Sequence, residues 1–403
     1  MSVISAPAAN ARGNSFNKPA AVSPFDLLLA CCRSGEEHRS RRKQLLFQTA
    51  VDWSGLIELA EQHDVLPLLH RNLGDVAGSV PAQVLEHLAL VYRRNAQKNL
   101  RFTYELLRVL ECLDSQSIAA MPYKGPLLAQ EVYGEVALRQ FSDLDILIDA
   151  ADLAGATAAV ARLGHLPSPE MTEAEERAYL ASGYERSFDG PAGPNILELQ
   201  WRILPRFYSV EFSLPDLFER SSRTVLAGKA ISTLSPEDLL HVLGAHAAKH
   251  AWARLSYLCD IAATISTQTI NYESALQRAR ELGIARIVGV SFWLVRQMLE
   301  APLPHCWSEY IRNDRQVEVL GSYIQETLSQ GHPPHPESSD YFRLMLRLRE
   351  RAADKWRFLS RLVFTPSVGE WSAVRLPAPL FPAYRAIRLV RLVGRLFPRQ
   401  HGE

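Results

Sequence analysis

The sequence predicts an α+β fold, a small sheet with flanking helices set between N- and C-terminal helical regions. Three observations predict it. Residues 24–113 and nearly everything past residue 234 carry apolar side chains at helical spacing. Residues 118–148 read as strand, glycine turn, helix, loop and strand. Residues 184–188 and 195–203, joined by a Gly/Pro turn at 190–194, read as an antiparallel hairpin.

Taken in order, residues 1–23 are rich in Ala, Ser and Asn and lack an apolar core segment, which predicts a disordered leader and not a secretory signal. From Pro24 the pattern is helical, with Phe25, Leu27, Leu28, Leu29 and Cys32 as one apolar patch. The basic run Arg39 to Lys43 is expected to be a solvated face. Asp52-Trp-Ser54 opens another helix, and Val65 to Leu69 leads into a short one that accepts Pro67 in its first turn. His63 and His70 are expected at the surface or as caps. Val80-Pro81 starts a long helix reaching about Cys112. Its buried stripe is Val84, Leu88, Val91, Leu106 and Leu110, widened by Leu100 and Phe102.

The centre follows. Ile118 to Tyr123 is apolar enough for a buried strand, and Gly125 breaks it where the backbone must turn sharply. Pro126 suits the first position of a helix, and Leu127, Leu128 and Val132 give that helix its apolar face. A glycine turn entering a helix presents unpaired N–H groups, which suit a phosphate. Asp143 and Asp145 are expected at i and i+2 of the next strand, projecting from one face while Leu144, Ile146 and Ile148 enter a core. Two such carboxylates repel unless a cation lies between them, and hard oxygen ligands favour Mg²⁺ shared with substrate phosphates.

Asp149 is placed to cap a helix over 151–163, ended by Gly164, and Met171 to Ala181 reads as another. On the second hairpin strand Ile196, Glu198, Gln200 and Arg202 share one face, the one able to look at Asp143 and Asp145. Glu185 reads as a solvated strand residue. Ser235-Pro-Glu-Asp238 is a helix start, with Ser as cap and Pro at the first position. That helix carries His246 and His250 four apart without the Glu of His-Glu-x-x-His, so a zinc protease is excluded and interdomain packing is expected. Further helices are predicted at 273–282, 285–300, 315–330 and 339–363. A proline connector over 366–382 leads to a last helix, 383–397, with Arg385, Arg388, Arg391 and Arg395 along one side. That helix is expected to dock on the helical region, with peripheral contact to an anionic membrane as the alternative.

Lys+Arg and Asp+Glu are equal at 44 each, so no net field argues for a nucleic-acid partner. Five cysteines without a Cys-x-x-Cys pair read as reduced thiols in a cytoplasmic protein. No run of about 18 apolar residues predicts a membrane span.

Lys124-Gly125, then Arg139-Gln-Phe-Ser-Asp143-Leu-Asp145-Ile-Leu-Ile148, then Glu198 in Asn195 to Trp201, resemble the polymerase-β-type nucleotidyltransferase superfamily. The closest likeness is to its large, poorly characterised bacterial branch. The chain departs from the pattern in three ways: Gln200 where the branch often has His, Pro126 where Gly or Ser is usual, and 17 residues between Gly125 and Asp143. The resemblance implies a polymerase-β-like mixed sheet and Mg²⁺-dependent (or Mn²⁺-dependent) transfer of a nucleoside monophosphate from an NTP such as ATP. The acceptor, whether small molecule, saccharide or protein, is unidentified. It also implies that Asp143, Asp145 and Glu198 are catalytic and hold the metals, and that Lys124, Gly125 and Arg139 bind the nucleotide. The expected division is a leader (1–23), an N-terminal helical region (24–113), a nucleotidyltransferase core (114–232), a C-terminal helical domain (233–365) and a proline-rich connector with a basic amphipathic helix (366–403). A catalytically silent nucleotide-binding scaffold is the first alternative. A glycosyltransferase built on Asp-x-Asp is the second, and it would need a doubly wound sheet ahead of the motif.

Overall fold

Before any strand appears, the chain builds a helical wall. The computed structural model describes residues 23–396 apart from 34, 49–50, 192, 337, 367–369, 372–373 and 375, so the leader expected over 1–23 lies, save for Ser23, outside the described residues. Ser23 starts α1 (Pro24–Cys32) by accepting from the Phe25 N–H at 3.2 Å, and α2 (Glu36–Gln48) follows. Asp52 caps α3 (Trp53–Gln62), α4 (Leu66–Gly74) takes Pro67 in its first turn, and α5 (Ala82–Asp114) is the long helix. The doubly wound sheet that a glycosyltransferase would need ahead of Asp143 is absent among the described residues.

The sheet has five strands, β1 (Ala120–Pro122), β2 (Leu144–Ile148), β3 (Leu166–Ser168), β4 (Glu185–Gly190) and β5 (Gly193–Gln200), in the order β1-β2-β5-β4-β3. It is mixed: β2 runs parallel to β5, and every other pair is antiparallel. Between β1 and β2 lies α6 (Gly125–Tyr133), and α7 (Leu153–Ala161) and α8 (Glu173–Ser182) lie between β2 and β4. Asp149 accepts from the Ala151 N–H at 2.8 Å as the cap reading expects. Register sorts the two faces. Leu144 sits opposite Leu197 and Ile146 opposite Leu199, and these side chains join Leu106, Val109, Ala156 and Val160 of α5 and α7 in one core. The opposite face carries Asp145 opposite Glu198 and Leu147 opposite Gln200, and looks toward a larger core of N- and C-terminal helices.

After α9 (Leu214–Glu219), the hairpin β6 (Ser222–Leu226) and β7 (Lys229–Thr233) was not foreseen, nor was edge strand β3. Both are short and carry few apolar residues, so periodicity alone does not find them. The rest is helical: α10 (Pro236–Lys249), α11 (Leu255–Thr267), α12 (Tyr272–Leu282), α13 (Ala285–Leu299), α14 (His305–Asn313), α15 (Arg315–Ser329), α16 (Ser339–Arg347), α17 (Ala352–Phe364) and α18 (Tyr384–Leu396).

Four expectations need correction. The single helix over 339–363 is two helices, because the Arg286 guanidinium takes the carbonyls of Arg347 and Arg349 at 2.9 and 3.2 Å while the buried Arg349 donates to the Tyr208 carbonyl at 2.7 Å. Leu100 does not widen the buried stripe of α5; it is 60% exposed. Arg42 leaves the solvated basic run and is fully buried, donating to the carbonyls of Ala30 and Arg33 at 3.2 and 3.0 Å. His63 does end α3, but it is buried against Phe25 and not at the surface; burial pushes its pKa down to about 4.

Candidate active site

The site begins at a glycine. Gly125 has φ +56°, and a Cβ there would meet the Asp143 carbonyl at 3.3 Å, so both the turn and the close approach of the next segment require its bare backbone. It opens α6, whose first turn holds Pro126 and no acidic residue, leaving N–H groups aimed outward at the helix start. The loop from Glu135 to Ser142 is held from behind by α5. Asn95 donates to the carbonyls of Ala137 and Arg139 at 2.8 and 3.1 Å, and Asn99 to those of Val136 and Arg139 at 2.6 and 2.8 Å. Asp143 stands one residue before β2 rather than on it, a small correction to the strand reading.

Parallel pairing of β2 with β5 then sets Asp145 beside Glu198 on the face that looks at the helices. Lys124, the residue just before Gly125, reaches Asp145 Oδ1 with Nζ at 3.1 Å, both side chains nearly buried. Gln200 fills the same face. Its amide nitrogen lies 2.8 Å from Asp145 Oδ1, 3.0 Å from Glu198 Oε2 and 3.4 Å from Glu185 Oε2, while its carbonyl accepts from Tyr123 at 2.5 Å. Glu185, read from the sequence as solvated, therefore turns to the site: β4 pairs it with Gln200.

One ammonium and one amide do not balance these carboxylates. Burial, then the charges of Glu185 and Asp145, push Glu198 up to about 8. Burial, then Asp145, pushes Asp143 up to about 6. Burial disfavours the Lys124 charge, yet Asp145, Asp143 and Glu198 outweigh that and raise its pKa. From the helical side come His246 of α10 and its C-cap His250, whose ring centroids lie 4.8 Å from each other and 5.4 and 5.6 Å from that of Tyr257 of α11. Burial, then Lys249 and Lys124, push His250 down to about 3, and burial, then Lys124, lowers His246 as well. Both imidazoles are therefore neutral at physiological pH. Lys249 lies over the Tyr184 ring and donates to its hydroxyl at 3.0 Å.

Arg139 feels the Asp143 charge but is tied to the helical region. Its guanidinium binds Asp260 of α11 at 3.0 Å, and Tyr133 donates to the same carboxylate at 2.9 Å; one guanidinium nitrogen, Nη1, is buried without a partner. Among the described residues, the ligand atoms drawn within 4.8 Å of one another belong to Glu37, His38 and Glu300 on the surface, where Arg33 already holds Glu300. Asp143, Asp145 and Glu198 are not drawn that close together.

Sequence reasoning missed Lys98, Asn95, Asn99, Glu185 and Asp260. Lys98 donates to the Phe141 carbonyl at 2.5 Å and feels the Asp143 charge. The asparagines did leave a signal: 95, 99 and Thr103 recur every four residues in the buried stripe of α5, where apolar residues belong.

A five-stranded mixed sheet with flanking helices, a glycine turn at a helix start and carboxylates on adjoining parallel strands is compatible with a nucleotidyltransferase-like fold. A family model described as "Uncharacterised nucleotidyltransferase" matches residues 49–300, more than half of the chain. The chain belongs to that family. No curated protein and no solved structure matches it.

Proposed function

We propose that the protein transfers a nucleoside monophosphate from an NTP to an acceptor at the face carrying Asp143, Asp145 and Glu198, with a divalent cation. The observation that carries this reading is the pairing of Asp145 with Glu198 on adjoining parallel strands, directly beyond the Gly125 turn. The donor set fits Mg²⁺ in its chemistry: all the ligands are hard oxygens, and the charged forms of Asp143 and Glu198, disfavoured by burial and by their carboxylate neighbours, are the forms a bound cation would favour. Asp143, Asp145 and Glu198 would hold the cation, which supplies charge neutralisation at the triphosphate and its leaving pyrophosphate.

The remaining roles fall to the chain itself. The free N–H groups at the start of α6 receive phosphate oxygens, and Lys124 adds charge beside them. Glu198 either completes the ligand set or takes the acceptor's proton on a carboxylate oxygen, a task for which a pKa near working pH is suited. Arg139, fixed by Asp260, positions the loop that delivers Asp143. The neutral imidazoles of α10 with Tyr257 and Lys249 form the opposite wall, where the base or the acceptor lies.

A second reading, nucleotide binding without transfer, is favoured by one feature: the Lys124 ammonium and the Gln200 amide already occupy Asp145 Oδ1. The deciding experiment incubates the full chain with each labelled NTP, Mg²⁺ and a cell lysate, and measures thermal melts with the same nucleotides. Label transfer lost in Glu198→Gln supports the first reading. A melting shift with no transfer supports the second, and no shift with any NTP overturns both.

A further inference from the structure

Five cysteines without a Cys-x-x-Cys pair give no local reason to bond, and all five are free thiols. The fold nevertheless brings two of them together from distant parts of the chain. Cys32 is the last residue of α1, and Cys259 lies in α11. The Cys32 thiol hydrogen-bonds the Cys259 sulfur, and both side chains line one cavity of about 440 Å³ together with Leu68 of α4 and Tyr133 of α6. Both backbones are anchored. Asn72 donates to the Cys31 carbonyl at 2.7 Å, and Arg33 donates to the Met298 carbonyl at 3.1 and 2.6 Å, which fixes the end of α1. On the other side Asp260, the residue after Cys259, is held by Arg139 at 3.0 Å and by Tyr133 at 2.9 Å. A disulfide needs its two side chains turned toward each other, and a thiol–thiol contact between anchored helices supplies that.

Exposure separates the two sulfurs. Cys32 is half-buried and Cys259 is 4% exposed, so an oxidant small enough to enter the cavity meets Cys32 first. The Cys259 contact, then burial, raise the Cys32 pKa well above the ordinary thiol value, with Arg33 working the other way. Oxidation is therefore slow at neutral pH and quickens with alkali, because the thiolate is the nucleophile. Hydrogen peroxide is an oxidant of the right size. The Cys32 sulfur attacks one peroxide oxygen, the O–O bond breaks, and the departing hydroxide takes up the thiol proton as water, leaving a sulfenic acid. The Cys259 sulfur then attacks the Cys32 sulfur. The S–O bond breaks, and the second hydroxide leaves with the Cys259 proton as water. The two thiols have lost two electrons, and the peroxide has gained them. Cys31 takes no part: it is fully buried, and burial raises its pKa to about 12.

We propose that Cys32 and Cys259 form an oxidative modification site, closed by peroxide into a disulfide that joins α1 to α11. The bridge stands one residue from Asp260, the anchor of Arg139, so it stiffens the back of the candidate site whatever reaction that site performs. In the test, the full chain is reduced, freed of reductant and treated with hydrogen peroxide at pH 8. Remaining thiols are then alkylated in denaturant and the digest is mapped by mass. The expected result is a Cys32–Cys259 cross-linked peptide and the loss of two alkylatable thiols, both reversed by dithiothreitol, with a higher Tm while the bridge stands. Cys259→Ser should leave Cys32 as a sulfenic acid that goes on to the sulfinic acid, and Cys31→Ser should leave the bridge intact. The map of the unaltered chain needs no variant to fold, so it decides alone. Peroxide that leaves both thiols alkylatable overturns the proposal. So does peroxide that carries Cys32 to the sulfinic acid without a bridge, or that pairs either cysteine with a different one.

Discussion

Two buried acids show how differently one chain handles negative charge. Asp238, on α10, is 1% exposed and receives Arg220 at 2.9 and 3.1 Å, Arg278 at 2.9 Å and the Ser235 hydroxyl at 3.0 Å. Burial works against its charge, yet the two guanidinium groups hold its pKa below the usual carboxylate range. Glu198, on β5, has Glu185 and Asp145 for neighbours and is pushed up to about 8. The first acid is finished by the fold. The second is left with its charge disfavoured by burial and by two neighbouring carboxylates, the kind of perturbation that marks a candidate functional group.

That contrast breaks most readily at Asp238. Asp238→Asn should cost about 3 kcal/mol of stability, because two guanidinium groups lose their partner below the surface. Urea unfolding checks it, and any residual NTP-dependent shift in the melt should survive per folded molecule. If the variant unfolds like wild type, the idea that Asp238 is the compensated acid is wrong.

Glu198→Gln should do the reverse. Transfer falls by more than about a hundredfold, since a group acting in the transition state is removed. The metal-free protein should gain stability at pH 8, by roughly 1–3 kcal/mol, because an ill-tolerated charge disappears. Steady-state transfer and paired melts read both effects; lower stability with unchanged turnover would assign Glu198 to structure.

A smaller effect lies in the pH dependence. For Asp143 and Glu198 the folded pKa lies above the unfolded value, so the folded state binds more protons between the two. Stability of the metal-free protein therefore declines as pH rises from about 4 toward 8, in contrast to the Asp238 contribution, which is lost only on acidification. Mg²⁺ with NTP should flatten that decline by favouring the ionised forms. A melt series across pH, with and without Mg²⁺ and NTP, tests the sign.

Smallest of all, Glu185→Gln removes one repelling neighbour and should bring the Glu198 midpoint down by about one unit. The alkaline decline in stability would shift to lower pH by that amount. An unmoved midpoint would mean that Asp145 and burial alone set it.

The sequence by itself determined the α+β class, the Gly125 turn, the strand with Asp145 and the hairpin with Glu198. Each is written in a local signal: a glycine that the backbone geometry demands, apolar alternation, or a Gly/Pro turn. It also placed Glu198 on the face that meets Asp145, because strand periodicity fixes the face before the partner is known. Only the tertiary structure decided what surrounds that pair. Lys98, Glu185 and Asp260 come from separate elements, and nothing local tells a solvated Glu from one aimed into a crevice. The same holds for Arg42, which was read as part of a solvated run and is buried, and for the Asp260 carboxylate that holds Arg139, which no local signal announces. Whether a charge is neutralised, stranded or exposed depends on distances between elements far apart in the chain, and those are set by how the helical lobes close over the sheet.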